Sequence, residues 1–395
     1  MNSTAKRKFT VVCALVVLLT SLVTGCDTAR EAEKVELVVW GLSQGEYMIG
    51  TYAAIDAFER AHPNVKVVPS VSGRILNPQK LMSAIVGGVP PDVIFQDRFT
   101  IGGWASRDAF LPLDSLIASD AQSASRIKPE DFYPATWNEA TYKRQVYAIP
   151  YDVDVRVLYY NKTLLRHAGF VNAQGDVVPP ATWDDLVRYN KKLTVSTKLG
   201  THTRIGFLQL NGPGSFYLYG WQNGGRFMSE DGTQCKLNEP RLVGAMQWLV
   251  GYYDALGGMS RAEGFRKSFM GLASDPFTND QLAMVVDGNW VLGNIARYRP
   301  DMDFGIAPAP VPEGQPYITW SGGFSIAIPY GAKHPQLAWE FIKWMSSTEA
   351  WRIRHHVLQQ LYRSRGATYV PTLSASKKPN AMVLQDFGEK NPDME

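Results

Sequence analysis

The stretch YAIPYDVDVRVLYYNK, Tyr147 to Lys162, constrains the fold more than any other part of the chain. Pro150 has no N–H and stops a ladder on one side, while Val153 to Tyr160 can extend into another sheet. One strand therefore leaves a first lobe and enters a second. Length agrees, because 395 residues exceed what one ordinary core accommodates. VELVVWG, Val35 to Gly41, reads as a buried strand, YAAIDAFERAH carries helical spacing, and VKVVPS is a second strand, which together make a parallel unit. KLMSAIVGGVPPDVIF repeats the pattern with a short amphipathic helix, a breaker and the strand Asp92 to Phe95, giving a doubly wound first lobe. Helices near Thr182 to Leu193 and Arg241 to Leu256, separated by a loop-rich segment from Gln209 to Asn238, belong to the second stretch. It closes with strands around Met284 and near Phe304. LAWEFIKWMSS, Leu337 to Ser347, has helical spacing suited to packing on the first lobe.

Composition places the chain among folded globular proteins, at 45% hydrophobic, 12% aromatic and 19% charged. A net charge of +3 with no basic stripe or arm implies no polyanionic partner such as nucleic acid. The 11 tryptophans need a large core or a surface that grips something flat. At the amino terminus Lys6, Arg7 and Lys8 precede an apolar run, Phe9 to Val23, too short to span a bilayer, and then LVTGC, Leu22 to Cys26. This resembles a bacterial lipoprotein signal peptide, residues 1–25, with Cys26 as the lipidated first residue and 26–34 as a polar tether. Such a lipid implies anchoring on the outer face of the cytoplasmic membrane. Asp27 resembles the signal that keeps some lipoproteins there in organisms with two membranes. Of three cysteines, Cys13 leaves with the signal and Cys26 takes lipid, so Cys235 stands alone and no disulfide is expected.

In AMVVDGNWVLGNI a short buried strand ends at Asp287-Gly288-Asn289, turn chemistry that also caps the following helix, and Trp290 opens that helix at a strand's carboxyl end. Ligands of open α/β sheets bind there, and the competing reading is a core tryptophan. Asp152 and Asp154 lie two apart on an extended segment, about seven ångströms, a separation that glycosidases use. Hydrolysis also needs one carboxyl kept protonated in an apolar pocket, which the alternating valines do not establish. Ser125 to Lys128 and Ser374 to Lys377 fit Ser-x-x-Lys without its partner motifs, and no phosphate loop, Gly-x-Ser-x-Gly or His-Glu-x-x-His occurs. His355 and His356 are adjacent and point apart on a helix, so neither a metal nor a cofactor is expected.

AFERAHPNVKV, GGVPPDVIF, YAIPYDVDVRVLYYNKTLL, PPATWDDL, LAMVVDGNW and TWSGGFSIAI occur in an order similar to bacterial extracellular solute-binding proteins of the carbohydrate, maltose-binding-like type, from about Val35 to Leu373. The resemblance implies a two-lobed α/β periplasmic-binding-protein fold of type II, each lobe a mixed sheet flanked by helices, joined by a hinge of crossing strands. It implies a monomer that holds sugar in the interlobe cleft and presents it to an ABC importer, its transmembrane permease and ATPases. Lobe one is then 35–151 with 320–366, and lobe two 152–319 with 367–395. Relatives continue beyond the position of Leu373, so a carboxyl-terminal fragment is one reading. A sugar needs aromatic platforms and planar polar groups. The platforms are Trp290, Trp221 and Trp320, whereas Trp183 resembles a structural helix start. Asp97 and Arg98, expected to point outward, match an Asp-Arg pair that binds sugar in the maltose group. Asp154 matches an acidic contact, Ser43, Gln44 and Glu46 occupy a contacting loop, and Gly322 and Gly323 tolerate hinge motion and offer backbone N–H groups. A glycoside hydrolase using Asp152 and Asp154, or a scaffold lipoprotein, is the alternative.

Overall fold

The computed structural model describes residues 34–42, 47–70, 78–209, 214–269 and 275–388. Cys26 and the loop residues Ser43, Gln44 and Glu46 lie outside them.

The run from Tyr147 threads three sheets in succession. It supplies β4 (Ala148–Pro150), β5 (Asp152–Val155) and β6 (Val157–Asn161), one to each. The first sheet places β1 (Val35–Trp40) between β2 (Val65–Pro69) and β3 (Val93–Asp97), all parallel. β12 (Phe324–Ala327) then lies antiparallel between β3 and β4, Ser325 opposite Pro150. Helices α1 (Tyr47–Ala61) and α2 (Pro78–Val86) connect the parallel strands, as the periodic spacing predicts.

The second sheet centres on β6 and β9 (Leu282–Asp287), an antiparallel pair. β10 (Phe304–Ala307) flanks β6, while β8 (His202–Phe207) and β7 (Val195–Ser196) continue the other side. Every residue of β9 is buried, consistent with an unbroken apolar run covered on both faces. Its helices begin where the sequence marks them. Thr182 caps α3 (Trp183–Leu193) by accepting the Asp185 N–H at 3.1 Å, and Pro240 opens α5 (Pro240–Ala255), which follows α4 (Gly214–Gln222). Asn289 precedes α6 (Trp290–Tyr298) but makes no side-chain capping bond. Asn289 has helical dihedrals, φ −63° and ψ −9°, rather than the extended ones from which a side chain reaches back to cap.

Between the lobes β5 runs antiparallel to β11 (Ser321–Gly322) and β13 (Leu373–Ser374). Two features of the expected division differ. Trp320 packs against the second core rather than the first. The described part of the tail packs on the first lobe rather than the second: after α7 (Pro335–Met345) and α8 (Thr348–Ser364), Tyr369, Ala375 and α9 (Lys377–Val383) with Phe387 bury into the first core. The reason is hydrophobic. Met382, Val383 and Phe387 cover α8, and each side chain so buried contributes about 1.5–3 kcal/mol. Trp339 and Trp351, fully buried on α7 and α8, account for part of the tryptophan excess as core.

Candidate ligand-binding site

Period two puts Asp152, Asp154 and Arg156 on one side of the β5 run. Arg156 is the residue at which the chain passes from the hinge sheet to the second lobe. Its Nε lies 3.0 Å from Asp154 Oδ1, and its Nη1 donates to Asp287 Oδ1 at 2.9 Å. The contact with Asp154 is ionic rather than a directed hydrogen bond, since Arg156 Nε has no bonded acceptor. The guanidinium carbon is 4.3 Å from the centre of the Trp290 ring and 5.4 Å from that of Trp320, both within cation–π range. Arg156 N–H donates to the Trp320 carbonyl at 3.1 Å, fixing backbone and side chain together. Asp287 Oδ1 also takes the Gly288 N–H at 2.8 Å, so the residue anticipated as turn chemistry anchors the arginine. Trp290 remains 38% exposed, with its ring folded over Gly288, where a Cβ would come within 2.3 Å of the indole.

The lobes meet beside this group. A Cβ on Gly293 of α6 would lie 3.2 Å from the Tyr47 hydroxyl at the start of α1.

Arg98 corrects an expectation. Rather than pointing outward, it is 1% exposed and bonded into the hinge. Nε donates to Glu139 at 2.8 Å, Nη1 to the Asp152 carbonyl at 2.9 Å, and Nη2 to the carbonyl and hydroxyl of Ser321, both at 3.2 Å. Its planar fork joins β5 to β11, which a lysine's point charge does not reproduce. Gly322 also differs from the reading. The Gly322 N–H is directed at Asp154 Oδ1, 3.3 Å away, rather than left for a ligand. At Gly323, with φ of +134°, a Cβ would sit 2.2 Å from the Asp152 carbonyl, so glycine is required there for close approach.

Asp97, half-buried at the end of β3, stands opposite Phe324. Trp221 is 37% exposed, but its ring contacts among the described residues are Tyr217 and Phe227, each 5.8 Å away, which do not join it to Trp290 or Trp320. Two participants escaped the sequence reading. Arg156 was signalled by the alternation that picked out Asp152 and Asp154; Glu139 had no local signal.

Burial raises the Asp154 carboxyl above its ordinary value, and neighbouring Asp152 adds to the rise while Arg156 opposes it. Glu139 is raised for the same first reason against the pull of Arg98. Asp152 Oδ1 accepts the Phe324 N–H at 2.6 Å. The group thus combines carboxylates, a guanidinium and two indole faces at a bend between lobes, which suits a hydroxyl-rich ligand with apolar faces.

Residues 45–350 match the family described as bacterial extracellular solute-binding protein. The chain belongs to that family. The maltotriose-binding protein of Pyrococcus abyssi is 21% identical over 90% of this chain and 71% of its own length. The sn-glycerol-3-phosphate-binding periplasmic protein of Brucella abortus is 26% identical over 63% of this chain and 53% of its own. Among solved structures, CpMnBP1 with mannobiose bound superposes with a TM-score of 0.72 at 27% identity, covering 89% of this chain and 86% of the other. The solute-binding protein therefore shares its two-lobed mixed α/β architecture with a disaccharide-bound relative.

Proposed function

We propose that this solute-binding protein captures an uncharged sugar or oligosaccharide between its lobes and delivers it to an ABC importer. The observation that carries the reading is the Asp154, Arg156 and Asp287 group set against Trp290 and Trp320 at the bend between sheets. The indoles stack on sugar C–H faces, and the carboxylates accept hydroxyl protons. Glu139, Asp152, Asp154 and Asp287 outnumber Arg98 and Arg156 here, so the field disfavours a phosphate such as the glycerol-phosphate relative's name specifies. Arg98 acts as a positioning residue that ties the hinge strands together. Contacts to both lobes favour the closed form by differential affinity, which is what the permease engages. Cys26 carries the lipid that keeps the protein at the membrane, with no second subunit needed.

Catalysis has less support. Asp152 and Asp154 are each bonded to a hinge N–H, and Asp154 is also paired with Arg156, an arrangement that holds a strand crossing. Calorimetry with mannobiose, maltotriose and glycerol 3-phosphate separates the readings. Saccharide binding without cleavage supports transport capture. Binding of glycerol 3-phosphate alone removes the saccharide reading, and release of monosaccharide from a pure sample replaces capture with hydrolysis.

A further inference from the structure

The first lobe carries two adjoining hollows, of about 430 Å³ and about 180 Å³, and neither is lined by a residue of the group round Arg156. The larger is lined by Arg126, Lys128 and Lys378 with the polar side chains of Gln122 and Ser123, and by no carboxylate or aromatic ring among the described residues. Arg126 and Lys128 follow the short helix Asp114–Ser119, whereas Lys378 comes from α9, so the packing of the tail on the first lobe is what brings the three cations to one hollow. Ala124, Arg126 and Lys378 line the smaller hollow as well, which places the two cations at the neck between them. Beyond the neck Ser346, Ser347 and Thr348 line the smaller hollow at the start of α8, a helix of 17 residues. Ser347 caps that helix by accepting the Ala350 N–H at 3.1 Å, and the Ser346 Oγ is buried without a partner among the described residues.

The charges here do not cancel. Asp131, the carboxylate that lines the smaller hollow, is taken by Lys378, whose Nζ lies 3.0 Å away. Lys343, on the same wall, is already paired with Asp120 at 2.7 Å and Glu340 at 3.0 Å. Arg126 Nη1 donates to the Ala121 carbonyl at 2.9 Å, which orients its fork without neutralising it. Arg126 and Lys128 therefore remain as two positive charges in one hollow, with no ion pair among the described residues. Such a pair repels unless an anion joins it, and the positive end of α8 adds to the same field. Ammonium and guanidinium groups, hydroxyls and helix N–H groups are all donors to oxygen, which suits a doubly charged oxyanion rather than a sugar, whose C–H faces find no ring in the larger hollow. We propose that the neck between the hollows holds one phosphate group, that of a free phosphate or of a phospholipid headgroup, bound by Arg126, Lys128 and Lys378. Bound there, it ties the segment after the short helix to the tail. The saccharide reading is not needed for this inference.

The test titrates the intact chain with sodium phosphate in a calorimeter, with sodium chloride adjusted to hold ionic strength fixed. One saturable site is expected. Lys128→Gln combined with Lys378→Gln should weaken it about tenfold or more, since each change removes a charge-assisted contact. The double variant should still fold, because neither lysine is buried and the Lys378 pair with Asp131 is a surface one. No saturable phosphate heat, or a site whose affinity the double variant leaves unchanged, overturns the proposal. Mannobiose titrated into the same samples keeps this result apart from the saccharide reading, since its affinity should stay within twofold. Sedimentation with phosphatidylglycerol vesicles, using a chain that starts at Asp27 and so has no leader or lipid to insert, then names the source. Capture that free phosphate reverses assigns the headgroup, and phosphate binding without capture assigns the free ion.

Discussion

The hinge sheet and the two lobe sheets are built on different physics. In the lobes, register follows apolar alternation: β9 is buried throughout, and β1 keeps Leu37 and Val39 fully covered, so a one-residue slip would turn core side chains outward. In the hinge, β5 meets only two residues of β11 and two of β13, and polar side chains set the register instead. Arg98 spans both of the crossing strands β5 and β11, Asp152 holds the Phe324 N–H, and Asp154 holds that of Gly322. A polar joint can bend by exchanging hydrogen bonds with water, whereas an apolar one would expose core. The contrast teaches that apolar burial sets the register within each lobe, whereas polar bonding sets it where the chain crosses between them.

The largest test of that contrast is Trp351→Ala. It should cost about 3–5 kcal/mol of first-lobe stability in urea denaturation, leaving saccharide affinity of the folded fraction within twofold. An equal loss of affinity would mean that core and joint are not separable. Arg98→Met should cost about 3 kcal/mol, since Glu139 and two hinge carbonyls lose a buried partner, and here affinity should fall too. Stability lost with affinity intact would reduce Arg98 to packing. Next comes Trp290→Ala, which should remove about 2 kcal/mol of binding, roughly thirtyfold, with little loss of folding. Trp221→Ala, in its separate aromatic group, should leave affinity unchanged; matching losses would place both rings on the ligand.

The smallest effect is a pH dependence confined to the lobe. His355 is fully buried and its pKa is depressed well below 6.5 in the folded state, by burial first and Arg354 second. The unfolded chain then binds the extra proton, so stability is complete above about pH 6.5 and falls below it by at most about 1.4 kcal/mol per pH unit. His355→Gln should flatten that slope in denaturation curves at pH 5 and pH 7.5. A slope that survives the substitution would assign the acid sensitivity elsewhere.

Much of the fold was legible because local rules agree with the tertiary outcome. Pro150 does end the first-sheet strand, a helix does run from beside Thr182 to Leu193, and Trp290 does open a helix after a fully buried strand. The tail was assigned to the wrong lobe because its apolar residues, Met382, Val383 and Phe387, announce burial without naming a partner. Arg98 was placed outward because a strand end predicts exposure, yet four acceptors from Glu139, Asp152 and Ser321 surround it. Arg156 was visible as the third member of an alternating trio, but nothing local tied it to Asp287, 131 residues away.

What the amino-acid order determined by itself was periodicity and punctuation: where strands and helices start and stop, and that one strand passes between lobes. Backbone sterics and apolar spacing act over a few residues, so they are written locally. Only the tertiary structure decided which charges meet and where the tail packs. Ion pairing and burial are properties of neighbours in space, and chain folding chooses those neighbours.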